Sequence, residues 1–151
     1  MHLIFGFLFT VLIYAVIGLV AGFIGTLLNI WSMLLILGSL LFFLILSKSG
    51  KIIGKYIVTS FKKEQIYIVE ELEILSVAVK NTIKYILFSG VFFALTFVII
   101  SLGHIGNPEM LGPSIAVSIT SLIYSIAISC FVFFPVQAWA ENKIFLLKKE
   151  V

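Results

Sequence analysis

Aspartate and arginine are both absent from the 151 residues, and charged residues of all kinds make up only 11% of the chain. Seven glutamates carry all of the acidic side-chain charge, and none lies inside a long apolar run. An ion path through a membrane normally needs an ionisable group facing the protein interior. This chain supplies no carboxylate there, so it is not expected to be a complete proton- or cation-coupled machine alone. Cysteine is limited to Cys130, inside an apolar run, which excludes an intrachain disulfide and leaves packing as its expected role. There is no glycine-rich phosphate loop, no paired carboxylate set and no Ser/His/Asp constellation. An enzyme is therefore not expected, and neither are a cofactor, a bound metal or a nucleic-acid partner.

What the chain has in quantity is apolar residues, at 62%. They fall into four blocks with the charges outside, the pattern of an integral membrane protein. No polar block is large enough for a separate core, so residues 1–151 read as one membrane domain. Spans are expected at about 3–20, 30–46, 83–102 and 114–135, each close to the ~20 helical residues that cross a bilayer. Gly18 and Gly22 form a close-packing pair at the end of the first, and Gly25 follows. No positive segment precedes the first block and no cleavage site follows it, so it is expected to stay as a helix. Trp31 opens the second span at headgroup level.

Residues 47–82 are different. Lys48, Lys51, Lys55, Lys62 and Lys63 are followed by Ile66, Val69, Leu72, Leu75 and Val79, mixed with Glu70, Glu71, Glu73 and Lys80. This predicts a short amphipathic cytosolic helix running into the third span, its charges meeting water and the lipid surface. The stretch from Gly103 to Pro113 predicts a loop by its glycines and prolines. His104 in it is a possible proton sensor or metal ligand, though a lone loop histidine is usually just exposed. Trp139 follows Pro135 as a second interface anchor. All ten basic residues are lysines at 48–84 or 143–149, and the positive-inside rule then puts both termini and the central segment in the cytosol. The expected architecture is all-α, with four transmembrane helices.

The fourth block is the most patterned. Ser114, Ser118, Ser121, Ser125 and Ser129 recur at intervals of four, three, four and four, which puts them on one helical face. Ile115, Ile119, Leu122 and Ile126 occupy other faces. A stripe of small residues lets another helix come close, and hydroxyls can bond across the contact. A tight helix–helix seam and the wall of a hydrated path are both compatible with it.

Gly112 to Pro135 resembles the last span of the MotA/TolQ/ExbB proton-channel family, whose pattern runs roughly G-P-x-x-A-V-A-L-x-T-T-x-Y-G-x-x-x-A-N-x-x-F-x-P. Gly112, Pro113, Ala116, Val117, Tyr124, Phe133 and Pro135 match it without a gap. Trp31 to Ser39 is similar to the family's second-span start, Ile68 to Leu75 to the beginning of its cytosolic helix, and Asn107 to Leu111 to its acidic-proline turn. The family's third-span G-x-x-G-T falls on Gly90 to Ala94, so its channel threonine becomes Ala94, with Thr96 two positions on. The paired threonines of the last span become Ser121 and Leu122. Only about 35 residues separate spans two and three, where the stator members carry a large rotor-contacting insertion.

The resemblance implies a multi-pass subunit of the bacterial inner membrane. It implies a homo-pentameric ring around a single-span MotB/ExbD-like partner whose aspartate carries H+ or Na+. Thr96, Ser118, Thr120, Ser121, Tyr124 and Ser125 would then line the ion path or face the partner, with Ser121 at the centre. Gly18, Gly22, Pro113, Ser114, Ser129 and Pro135 would be packing positions. The alternatives are a reduced, non-conducting scaffold of the same fold, and an unrelated four-helix membrane protein.

Overall fold

A computed structural model describes residues 29–60 and 68–149. The expected first span, with Gly18, Gly22 and Gly25, lies outside the described residues, as do Lys62 and Lys63. The described residues are helical, with no strand: α1 (Ile30–Leu46), α2 (Ser49–Ser60), α3 (Val69–Gly103), α4 (Pro108–Ile128), a π-turn (Ser129–Phe133) and α5 (Phe134–Lys149).

α1 starts at Asn29, whose side-chain oxygen accepts from the amides of Trp31 (3.1 Å) and Ser32 (3.2 Å). A capping side chain of this kind satisfies donors that the first turn leaves unpaired. α1 ends at Ser47, and Lys48 turns the chain in the left-handed region at φ 55°. α2 then leaves at 99° to α1.

α3 is a single helix of 35 residues. Residues 69–82 are thus continuous with the third span, whereas the lysine-rich first part of the expected amphipathic helix, Ser49–Ser60, forms the separate α2. Glu70 and Glu71 in its first turn suit the positive end of the helix dipole. The loop expected from Gly103 to Pro113 is shorter than that. Only residues 104–107 are non-helical, and Pro108 already begins α4. Proline is well placed there, because the first turn has no use for its missing amide. Pro113, one turn in, costs one intrahelical bond without breaking the helix.

Pro135 likewise does not end the last helix, which is continuous from Glu109 to Lys149. A proline ring in mid-helix crowds the carbonyl four residues back and offers no amide. The turn before it is wound as a π-turn, with the Phe134 amide donating to the Ser129 carbonyl five residues back. The wider turn accommodates the proline.

α3 and the α4–α5 rod form an antiparallel pair, and both are long and apolar enough to cross a membrane. α1 with α2 passes the same test only as a bent pair, so two crossings, or three, lie among the described residues. The pair is held differently along its length. Towards the α3 start, Leu72, Leu75, Val79, Ile83 and Ile86 meet Phe133 and Ala140 in one core with Ile36, Leu40, Ile53 and Tyr56. Where this core lies at bilayer depth, packing rather than transfer from water holds it, because lipid is as apolar as the side chains. Trp139, expected as an interface anchor, packs half-buried against this core. Cys130, expected to pack, is exposed. Phe43 of α1 stacks on Tyr85 of α3, with ring centroids 4.3 Å apart. Closer to the 104–107 turn the serine face of α4 meets Gly90 and Ala94 of α3.

Candidate functional site: a hydroxyl-lined seam

The serine stripe lies against α3 of its own chain. Ser121 and Ser125 are fully buried, Ser129 is 1% exposed and Ser118 4% exposed. Ser118 Oγ donates to the Ala94 carbonyl of α3 at 2.8 Å. Beside it, Gly90 faces Ser125 so closely that a methyl group there would overlap Ser125 Oγ and Cβ and come within 3.4 Å of the Ser121 carbonyl. Gly90 and Ala94 are one turn apart, so they make a small-residue notch that takes the serine ridge. Of the two readings of the stripe, a helix–helix seam and the wall of a hydrated path, the contacts within the chain are those of a seam, where small residues on both helices allow close approach.

The hydroxyls are used up locally. Ser121 Oγ lies 2.7 Å from the Val117 carbonyl and 3.0 Å from that of Ser118. Ser125 Oγ donates to the Leu122 carbonyl at 2.8 Å, and half-buried Ser114 donates to that of Met110 at 3.0 Å. In apolar surroundings this back-bonding satisfies the hydroxyl without a water. Ser129, at the π-turn, is the exception: its buried Oγ has no hydrogen-bond partner among the described residues. Thr96 sits apart from the seam, half-buried, with Oγ1 donating to the Phe92 carbonyl at 2.8 Å.

A second polar junction joins α4 to α1. Thr120 Oγ1 donates to the Ala116 carbonyl at 2.8 Å and lies 2.8 Å from Ser32 Oγ. Ser32 Oγ is also 3.1 Å from the Val117 carbonyl, and the Asn29 amide donates to Tyr124 Oη at 3.2 Å. The sequence marks this end of α1 only as an interface, with Trp31 at headgroup level. The signal for more was a hydroxyl one turn inside an apolar helix. Gly90 and Ala94 were likewise legible as a small pair, but not as the partners of the stripe.

His104 stands at the end of α3, with Nδ1 2.8 Å from the Ile100 carbonyl. A carbonyl only accepts, so Nδ1 carries the proton and caps the helix end. No group of three or more His, Cys, Asp or Glu among the described residues could hold a metal ion.

Outside the apolar stretch, the helices are tied by charge. Glu71 of α3 accepts from Tyr56 Oη at 2.8 Å and from Lys55 Nζ at 3.1 Å, both of α2. These two bonds, with the nearby Lys55 charge, hold its carboxyl below the ordinary glutamate value. Lys148 of α5 pairs with Glu73 of α3 at 2.7 Å.

Chemically, the seam is a closed contact. Its hydroxyls can fix two helices at short range, and they offer no titratable group to a moving ion. No protein-family model matches the chain, and no curated protein matches it.

Proposed function

We propose that the chain is a subunit of a MotA/TolQ/ExbB-like complex of a bacterial inner membrane, forming a homo-oligomeric ring around a single-span partner that carries the ion-binding aspartate. One observation carries the reading. The stretches that align with the family's third-span and last-span motifs, Gly90–Ala94, which keeps only the first glycine, and Ser118–Ser125, meet in one seam, through the Ser118–Ala94 bond and the Gly90–Ser125 contact. The want of any carboxylate inside the apolar runs fits a division of labour in which a partner carries the ion as H+ or Na+. In this reading Ser118, Thr120, Ser121 and Ser125 hold the subunit's own helices in register, and a partner meets the outward face of α3 and α4.

The back-bonded hydroxyls and the alanine at the channel-threonine position favour a second reading, a non-conducting scaffold of the same fold. Native mass measurement of the complex purified in mild detergent tests the first. A ring of identical chains with a second, single-span chain is the expected result. A monodisperse monomer, with no larger species on crosslinking in membranes, would overturn it. A ring without a second chain, inactive in ion-driven assays, would establish the scaffold instead.

A further inference from the structure

The bend between α1 and α2 gathers lysines at one level of the molecule. With α1 set across the bilayer, a helix leaving it at 99° runs along the surface rather than away from it. The residue at the corner is Lys48, in the left-handed conformation that side-chain-bearing residues rarely adopt. Its amide still reaches the Ile45 carbonyl at 3.3 Å, the kind of helix end usually built with glycine. Glycine would make this corner at lower cost, so what lysine adds is its charged side chain.

Lys51 and Lys55 follow three and seven positions later, on one side of α2. Ser49, Ile53 and Tyr56 occupy the other side and are buried. α2 contains no acidic residue. Ser49 shares a shallow surface pocket with Glu73, Ile74, Val77, Ala78 and Asn81 of α3, Glu73 being paired with Lys148, and Phe43 stacks on Tyr85, so the end of α1 and the corner lie level with residues 73–85, which include Lys80 and Lys84. In the antiparallel register set by Ser118–Ala94 and Ser125–Gly90, that level is also where the apolar run of α4 ends, near Pro135. Lys55 is neutralised by Glu71. Lys48, Lys51, Lys80 and Lys84 are all exposed and have no ion pair among the described residues.

We propose that this elbow is a binding surface for anionic phospholipid headgroups. Lys48, Lys51, Lys80 and Lys84 hold the headgroup phosphates of the leaflet where α1 ends, and α2 lies along that leaflet. Lysine ammoniums suit phosphate as compact point charges. Near an anionic surface each contributes about 1 kcal/mol, or roughly fivefold in affinity. The inference needs the helices to be in a bilayer, and is independent of the ring and its partner.

The test uses the full chain in mixed micelles of phosphatidylcholine and phosphatidylglycerol, with retained lipid read by native mass spectrometry. The wild type should retain phosphatidylglycerol preferentially, and that preference should weaken as salt is raised. The triple variant K48G/K51Q/K84Q should lose about a hundredfold of it, given roughly fivefold per lysine. K48G suits the corner, so it removes charge without opposing the bend. K149Q, at the far end of α5, should behave as wild type. Equal retention of the two lipids by the wild type would overturn the proposal, and so would an unchanged preference in the triple variant. If the triple variant does not fold, a wild-type preference indifferent to salt overturns it as well. Displacement of the lipid by millimolar inorganic phosphate would mark a site for free phosphate and also count against it.

Discussion

Gly90 is the residue on which the seam depends most. Its missing side chain leaves the room that Ser125 fills, and the obstruction includes the Ser125 β-carbon. A rotamer change therefore cannot clear it. Gly90→Ala should destabilise the α3–α4 pair by about 1–3 kcal/mol, the usual cost of overpacking, and Gly90→Val by more. Thermal or denaturant unfolding in detergent measures it, and a wild-type midpoint in both variants would refute the close approach. Ser121 makes the complementary case. Its hydroxyl bonds only to carbonyls of its own helix, so Ser121→Ala should cost about 1 kcal/mol or less. Ser121→Leu has no space at a fully buried position and should disrupt the pair. A folded Ser121→Ala protein that assembles but loses ion-driven activity would show that the hydroxyl does more than pack.

At the scale of elements, α2 is fastened to α3 by Glu71 and to the core by Ile53 and Tyr56. The carboxyl of Glu71 titrates below its ordinary value of 4.5 in the folded state, chiefly through the Tyr56 hydroxyl and next through Lys55. A depressed carboxylate stabilises the fold at pH above the unfolded value, and that contribution fades as pH falls through 4.5 and the lowered folded value. Acidification below about pH 4.5 should therefore loosen α2 first, seen as faster amide exchange in residues 49–56 than in α3. Compared as protection relative to the intrinsic exchange rate, Glu71→Gln should show the low protection of the acidified wild type already at neutral pH and lose the carboxyl-linked change in protection. An unaltered acid transition in Glu71→Gln would assign it to another group. The sequence showed the lysines and glutamates of this region as one amphipathic run. It did not show the corner at Lys48, because a left-handed lysine has no sequence signature.

For the whole molecule, the antiparallel α3/α4–α5 pair sets the orientation of everything else, and the turn at 104–107 is its one tight reversal. Lysines lie only towards the other end of the pair, and the positive-inside rule makes the outer side the expected place for this turn. A Gly106→Cys variant in a Cys130→Ser background should be labelled by a membrane-impermeant maleimide in intact cells. The new site is exposed, and nothing lies within 4 Å of the position a β-carbon would take. Labelling only after permeabilisation would invert the topology.

The sequence by itself determined the helical class, the apolar runs, the continuity of residues 69–82 with the third span, and the existence of a serine face on α4. All of these follow from composition and from 3.6-residue periodicity, which are local properties. Tertiary structure decided what the serine face meets. Periodicity places Ser118, Ser121 and Ser125 on one side of a helix but carries no information about the neighbour. The inward answer required Gly90 and Ala94, more than twenty residues away in sequence, to present a notch of matching depth. The same holds for Ser32 and Thr120, 88 positions apart and joined at 2.8 Å. It holds too for Pro113 and Pro135, which read as helix ends. One falls within the early turns of α4 and the other follows a widened π-turn, so both are absorbed into a continuous rod whose packing against α3 outweighs the backbone bonds they remove.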